Sequence, residues 1–240
     1  MKQKPIHPAL QPYLEGQVIL LDKPLHWTSF DAIRKIRKIT GVNKVGHAGT
    51  LDPLATGLLI ICTGKFTKRI NEFMAQCKVY TGTITIGAST PTYDLESDPE
   101  NFRGYSFVAE TLLQEKLQAF IGEIQQVPPI HSAIKQGGKP VYLAARKGDD
   151  VKLEPRPITI YSFALSHVAL PEIDFEVACS TGTYIRSLAN DYGAALGTGA
   201  YLSRLCRTKI GDFSLDDAVS IEAFEAKIDA LKQDWEEKNQ

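Results

Sequence analysis

The chain has 240 residues, of which 43% are hydrophobic and 23% are charged, and its formal net charge is −1. This balance is typical of a folded globular protein, so disordered, collagen-like and low-complexity classes are excluded. No apolar run approaches the roughly 18 residues that a membrane-spanning helix needs, and no apolar segment of the signal-peptide kind follows the N-terminal charges, so we expect a cytoplasmic protein.

The first predicted elements are a strand over residues 17–21 and a helix after it. Thr28 or Ser29 is placed to cap this helix, and Gly41 is placed to end it. Its opposite face is basic, so the helix presents positive charge on a rigid element. Four apolar side chains predict its buried stripe: Phe30, Ile33, Ile36 and Ile39.

A long loop is predicted over residues 42–57, because the segment has little helical or strand periodicity and contains three glycines and a proline. Loops of this length are usually disordered or functional, and the well-patterned elements on both sides favour function. A strand at 58–62, a short helix at 67–74 and a strand at 78–87 follow.

The rest of the chain predicts a sheet with helices around it. Strands outnumber helices and do not alternate with them regularly, so the predicted fold class is α+β, with a mixed, largely antiparallel sheet flanked by helices. The elements, in chain order, are an exposed excursion (88–105), a helix (107–121), a turn (137–140) and short helix (141–146), two strands bent near residues 170–171 (151–180), a helix (183–196), a turn or short helix (199–207), a strand (208–215) and an acidic helix (218–235).

Charge is unevenly distributed along the chain. Between positions 32 and 71, eight basic residues accompany a single carboxylate, Asp52, whereas residues 212–240 hold nine acids and three lysines. A phosphate backbone binds a basic stretch of this kind, although an ordinary solvated helix face gives the same pattern.

Asp52 is the leading candidate for chemistry, because it lies on the glycine-containing loop among cations. A carboxylate in this setting acts as a nucleophile, a general base, a metal ligand or the start of an Asp-Pro turn, and the pattern alone leaves these open. The four cysteines and five histidines are dispersed, so neither a disulfide framework nor a protein-bound metal is expected. Both glycine-rich nucleotide-binding motifs are missing from the sequence.

Several segments together resemble the bacterial tRNA pseudouridine-55 synthases, in the order that this family has them. The resemblance covers residues 17–215 and is strongest around Asp52. The matching segments are KVGHAGTLDPLATGLL (44–59) with GKFTK (64–68), LLDKP (20–24) with TS (28–29), KVY (78–80), PP (128–129) with SAIK (132–135) and GKPVY (138–142), CSTGTYIRSL (179–188) and GAYLSRLCRT (199–208).

This resemblance implies an isomerase that converts uridine 55 in the T arm of tRNA to pseudouridine without a cofactor or metal. It implies three catalytic residues: Asp52 as the nucleophile that attacks the ribose C1′ or the uracil C6, Tyr80 as the side chain that stacks on the flipped base, and Arg186 as the partner of Asp52. From the residues alone, two alternatives stay open: Tyr80 as a core side chain and Arg186 as an ordinary surface cation.

The resemblance also implies four substrate-binding residues. Tyr184 comes from the segment that holds Arg186, Leu205 forms an apolar wall, and His47 fills the gap left by the flipped nucleotide. Lys23 either orients the catalytic loop or binds phosphate, and the sequence does not separate these roles. The expected partner is the T stem-loop of tRNA, bound by a monomer with no membrane association.

The predicted domain organisation is a catalytic domain over residues 1–215, with an inserted RNA-contacting region around 88–150. Residues 216–240 are expected to form a short acidic helix without a separate C-terminal domain. Two other functions fit the same residues: a tRNA-folding chaperone without turnover, and the same isomerisation on another RNA uridine. A metal-dependent RNA hydrolase is disfavoured because Asp52 has no acidic neighbours in the sequence around it.

Overall fold

A computed structural model describes residues 6–130, 132, 135–136, 139–140 and 153–239. Its helices are α1 (Gln11–Glu15), α2 (Ser29–Thr40), α3 (Ile70–Met74), α4 (Glu110–Gln118), α5 (Ile185–Leu196) and α6 (Ile221–Lys238). Its strands are β1 (Val18–Lys23), β2 (Val45–Ala48), β3 (Ala55–Thr63), β4 (Lys78–Ile86), β5 (Gly122–Gln126), β6 (Lys135–Gln136), β7 (Lys139–Pro140), β8 (Arg156–Ala169), β9 (Glu172–Cys179), β10 (Ala200–Ile210) and β11 (Phe213–Ser214). The helix predicted at 141–146 lies outside the described residues, and so does the middle of the turn predicted at 137–140.

The chain forms two compact units, and the predicted α+β class is confirmed. The first unit comprises Met1–Lys78 and Cys206–Gln240, and the second comprises Val79–Leu205. In the first, the strand order is β1-β3-β10, with β2 beside β3 and β11 beside β10; in the second, it is β10-β4-β9-β8-β5. None of the helices in the described part of the chain is long and apolar enough to cross a membrane.

Helix α2 begins and ends where the sequence predicts. The Thr28 side chain accepts a hydrogen bond from the Asp31 backbone, the Asp31 carboxylate accepts one from the Thr28 backbone, and Gly41 closes the helix at φ 73°. These are the reciprocal N-terminal cap and the left-handed C-terminal glycine that stabilise helix ends. Thr28 is therefore the cap of α2, and the Ser29 hydroxyl instead forms hydrogen bonds with the Leu51 backbone.

The buried face of α2 differs from the predicted stripe at one position. Phe30 is 58% exposed, whereas Ala32 is fully buried beside Ile33 and Ile36. A strict three-residue spacing drifts away from the 3.6-residue helical turn, so Phe30 lies about 120° around the helix from Ile36 and Ala32 only about 40°. The prediction that Phe30 is buried was wrong, because it extended the three-residue spacing of the isoleucines back by one more step.

The loop predicted over 42–57 is shorter than expected. Strand β2 pairs antiparallel with β3, and His47 lies opposite Ile61. Strand β3 in turn begins at Ala55, so the predicted loop keeps irregular backbone only at residues 42–44 and 49–54. Gly46 in β2 and Gly57 in β3 obscured these two strands in the sequence, because glycine is rare in strand interiors.

Strand β10 corrects the prediction of a turn or short helix at 199–207 followed by a strand at 208–215. It is one strand from Ala200 to Ile210 that reaches from the second unit into the first. Its periodicity is hidden because Arg207 occupies a buried position, with 1% of its surface exposed. A charged residue at a core position breaks the apolar alternation from which a strand is predicted.

Most of the remaining elements of the second unit follow the prediction, although strand β5 was not predicted. Strands β8 and β9 form an antiparallel hairpin that turns at Leu170-Pro171. Helix α4 is shorter than the predicted 107–121, and the buried Tyr192 hydroxyl of α5 donates to the Leu113 carbonyl of α4 at 2.9 Å. In the first unit, α6 is the predicted acidic helix, and its Glu225 accepts a hydrogen bond from Lys35 of α2 at 2.6 Å.

Candidate active site

The backbone on both sides of Asp52 is held by the turn that precedes α2. The buried Ser29 hydroxyl accepts a hydrogen bond from the Leu51 backbone at 2.9 Å and lies 3.2 Å from the Leu51 carbonyl, to which it donates. The His26 backbone donates to the Pro53 carbonyl at 2.8 Å. These hydrogen bonds hold the backbone of the residues directly before and after Asp52. The position of the Asp52 backbone, from which the carboxylate extends, is therefore fixed.

Replacing Ser29 by alanine is expected to lower the rate of the reaction proposed below, because the Leu51 backbone loses both hydrogen bonds. An unpaired buried amide costs about 1–3 kcal/mol of unfolding free energy. The matched control is Ser220→Ala, which removes the exposed cap of α6 and costs about 1 kcal/mol. Urea denaturation and turnover are measured on both. Equal rate losses in the two variants would show that stability, and not the position of Asp52, explains the effect.

Lys23 is a fully buried cation at the end of β1. Its ammonium donates to the Pro24 carbonyl at 2.9 Å and to the Trp27 carbonyl at 2.6 Å. Burial lowers the pKa of Lys23 to about 8, and the negative charge of Asp52 partly opposes this shift. Lys23 is therefore committed to the turn that holds the Asp52 segment, which favours the orienting role over phosphate binding.

The charge of Lys23 predicts a pH dependence of stability. The pKa is about 8 in the folded protein against the ordinary 10.5, so between these values the unfolded chain binds more protons and stability rises with pH. Each pKa unit corresponds to about 1.4 kcal/mol, so we expect a rise of roughly 2–3 kcal/mol relative to Lys23→Met. Denaturation of both proteins from pH 7 to 10.5 measures it. A wild-type minus variant difference that stays flat would contradict the shift.

Two further residues of the first unit belong to this site. His47 of β2 is half-buried, and its pKa is lowered by burial first and by the charge of Arg207 second. A hydrogen bond with the Gly49 backbone partly opposes this shift. Arg207 lies in the family segment 199–208, and no role was predicted for it; its one signal in the sequence is a charge that interrupts an otherwise apolar strand.

In the second unit, Arg186 is a buried residue and not a surface cation. Only 5% of its side chain is exposed, and its Nη1 donates to the Thr92 carbonyl at 3.2 Å. Its Nε lies 3.5 Å from the carboxylate of Asp94, which is equally buried. Sequence reasoning missed Asp94, because residues 88–105 read as exposed turns. The predicted pairing of Arg186 with Asp52 stays a prediction.

The other predicted residues of the second unit have these positions. Tyr80 of β4 is 8% exposed, Leu205 of β10 is half-buried, and β4 and β10 are neighbouring strands. The Tyr184 backbone is fixed by the buried Gln126, whose side chain accepts from its amide at 2.8 Å and donates to its carbonyl at 3.0 Å. Gln126 has no motif around it, so the sequence did not indicate this role.

The predicted basic face of α2 is less available than its composition suggests. Arg34 is paired with Asp31, Lys35 with Glu225, and Arg37 donates to the Val45 carbonyl at 3.1 Å. Lys38 is exposed on the same helix. The positive charge of α2 is thus partly neutralised within the first unit. Across the described residues, no three His, Cys, Asp or Glu side chains are grouped so that they would hold a metal ion.

Comparison with known proteins gives matches over almost the whole chain. Residues 37–185 match the family model described as TruB family pseudouridylate synthase (N terminal domain), and residues 186–239 match the tRNA pseudouridylate synthase B C-terminal domain. The tRNA pseudouridine synthase B of Flavobacterium johnsoniae is 52% identical over 224 residues, which are 90% of this chain and 97% of that protein. The protein of the same name from Phocaeicola vulgatus is 49% identical over 223 residues, 90% of this chain and 95% of that protein.

Among solved structures, a chain of the crystal structure of a Cbf5-Nop10-Gar1 complex is similar, with a TM-score of 0.75 and 29% identity. The similarity covers 95% of the present chain and 58% of that chain. The present chain thus spans a little over half of that structural relative, whereas it spans nearly all of the two bacterial proteins.

Proposed function

Because the chain belongs to the TruB family of pseudouridylate synthases, we propose that it isomerises uridine 55 in the T arm of tRNA to pseudouridine. The identity of about half over nearly the full length of two proteins named tRNA pseudouridine synthase B supports this proposal. The structural observation that carries it is the Asp52 segment, which is held by Ser29 on one flank and by the His26 backbone on the other.

The proposed reaction rearranges bonds within one nucleotide. The Asp52 carboxylate attacks the ribose C1′ or the uracil C6, the N1–C1′ bond breaks, the base turns, and C5 bonds to C1′. The bond that Asp52 formed to C1′ or C6 breaks in the process, which restores the free carboxylate. The proton on C5 is then removed and N1 gains one, so no oxidant, reductant or energy source is consumed. The positive charges of Lys23 and Arg207 in the same unit favour an ionised carboxylate, which is the nucleophilic form.

The base must leave its stack before Asp52 reaches it, at a cost of a few kcal/mol. We propose that Tyr80 recovers part of this cost by stacking on the flipped uracil, which is worth about 1–3 kcal/mol. Leu205 then provides an apolar wall, His47 fills the vacated position in the RNA, and Tyr184 completes the pocket. Arg186 is proposed to orient Asp52 through its planar guanidinium.

The proposed substrate is the T stem-loop of tRNA, because sequence-specific RNA recognition targets loops more than regular duplex. The exposed Lys38 of α2 is proposed to bind its phosphates. We further propose that the protein acts as a monomer in the cytoplasm, where tRNA is modified.

The test is to incubate the purified protein with an unmodified tRNA transcript, with no organic cofactor, and to map pseudouridine along the RNA. We expect modification at position 55. Modification at a different uridine would replace the proposed substrate with another RNA site, and binding without any pseudouridine would favour the chaperone function. A transcript in which position 55 is cytidine is the control and should stay unmodified.

A further inference from the structure

Arg207 joins the two ends of the segment that carries Asp52. Its Nε donates to the Leu58 carbonyl at 2.8 Å and its Nη2 to the Gly49 carbonyl at 3.1 Å. One guanidinium therefore spans a ten-residue stretch that has Asp52 near its centre. Among the fully buried side chains of the described residues, that of Arg207 is the largest.

The backbone around this contact is shaped to let Arg207 approach. Gly57 has φ +98°, and a Cβ atom there would lie 2.4 Å from the Arg207 carbonyl oxygen. Gly49 has φ +86°, a conformation that side chains with a Cβ atom rarely adopt, and its missing Cβ faces the guanidinium. Both ends of the segment thus contain a glycine where Arg207 passes, which fixes the strand and the segment against each other.

The charge of Arg207 is not needed to hold carbonyl oxygens, because its two hydrogen-bond partners among the described residues are neutral. Burying a guanidinium without a carboxylate partner is costly, and a neutral donor of similar size would close the same two bonds. The charge does act on the site, however: it disfavours the protonated forms of His47 and of Lys23. The carboxylates of Asp22, Asp31 and Asp52 act on Lys23 in the opposite direction and raise its pKa.

We infer that Arg207 is a positioning residue of the active site, which fixes the ends of the Asp52 segment and supplies a permanent positive charge to the site. The charge adds to the effect of burial in disfavouring the protonated His47 ring, and it favours the ionised Asp52. The two hydrogen bonds of its planar guanidinium, called the fork below, fix the path of the backbone. Because the guanidinium stays charged at every accessible pH, its effect on neighbouring charges does not change with pH. This inference rests on the proposed function for the reaction whose rate it affects.

Three substitutions separate the fork from the charge. Arg207→Lys keeps the charge without the planar fork, Arg207→Gln keeps a donor without the charge, and Arg207→Met removes both. The control is Lys209→Gln, which removes an exposed charge from the same strand. The measurements are the single-turnover rate, the tRNA dissociation constant, and the NMR titration of the His47 ring in the free protein, assigned with His47→Gln.

We expect Arg207→Met to lower the single-turnover rate about 100-fold, because a misplaced catalytic group costs this much, and to change tRNA affinity less than about threefold. Arg207→Lys and Arg207→Gln should each be intermediate, and Lys209→Gln should match the wild type. His47 should titrate at a higher pH in the Gln and Met variants and at the wild-type pH in the Lys variant. A structural role alone does not produce this split.

Two results would overturn the inference. One is a folded Arg207→Lys or Arg207→Gln protein with the wild-type rate, and the other is a His47 titration that does not distinguish Lys from Gln. If Arg207→Met does not fold, these two variants decide the question. A wild-type protein that makes no pseudouridine would instead reject the proposed function, while the His47 titration in the free protein would still test the charge.

Discussion

Replacing Asp52 by asparagine is expected to abolish pseudouridine formation and to leave tRNA binding nearly unchanged. The amide has the same shape, so the backbone bonds of Leu51 and Pro53 remain, but it carries no negative charge and is a poor nucleophile. Loss of an enzyme's nucleophile usually costs several powers of ten in rate, so we expect a drop of at least about 1,000-fold.

The experiment compares three proteins on the same transcript. The wild type and Asp52→Asn are followed by single-turnover formation of pseudouridine and by filter binding. Asp212→Asn, which removes an exposed carboxylate from the same unit, is the control for a change in net charge and should retain full activity. An Asp52→Asn protein with more than about a tenth of the wild-type rate would remove Asp52 from the mechanism.

The parts of the fold that the sequence predicted correctly are those that depend on residues close to one another in the chain. The caps of α2 depend on neighbours three residues apart, so Thr28 and Gly41 were identified in advance. The β8–β9 hairpin and the acidic α6 also follow from patterns within one segment. Strand β10 was missed because its buried arginine makes sense only beside β3, which lies about 150 residues away in the chain.

The site residues also differ in this way: some are marked by their own sequence segment, and others are brought to the site only by folding. Asp52 was found because its loop, cations and family segment are contiguous. Its supports come from elsewhere: Ser29 lies 22 residues before Leu51, to which it bonds, and Arg207 comes from β10. Asp94 and Gln126 were missed for this reason as well. Such residues contact the site only after the chain has folded, and nothing in their own neighbourhood in the sequence marks them.

The buried pair of Arg186 and Asp94 predicts the second large effect. Both side chains are 5% exposed, and the Arg186 Nε lies 3.5 Å from the Asp94 carboxylate, so removing either partner takes one charge out of a buried pair. Breaking a buried pair in this way costs about 3–5 kcal/mol. If Arg186 orients Asp52 as proposed, Arg186→Lys and Asp94→Asn should each lose most of the rate with a modest loss of affinity, since a point charge does not reproduce the planar guanidinium.

A double-mutant cycle on these two residues tests whether they act as one unit. The double variant Arg186→Lys with Asp94→Asn should be little worse than either single variant, which gives a coupling energy of at least about 1 kcal/mol. Within the same unit, Arg204 and Asp174 provide the control: they lie 3.2 Å apart, but 69% of the Arg204 side chain is exposed. Exposed pairs contribute at most about 1 kcal/mol, so Arg204→Lys with Asp174→Asn should show little coupling and a wild-type rate. Additive losses at the buried pair would mean that Asp94 does not act through Arg186.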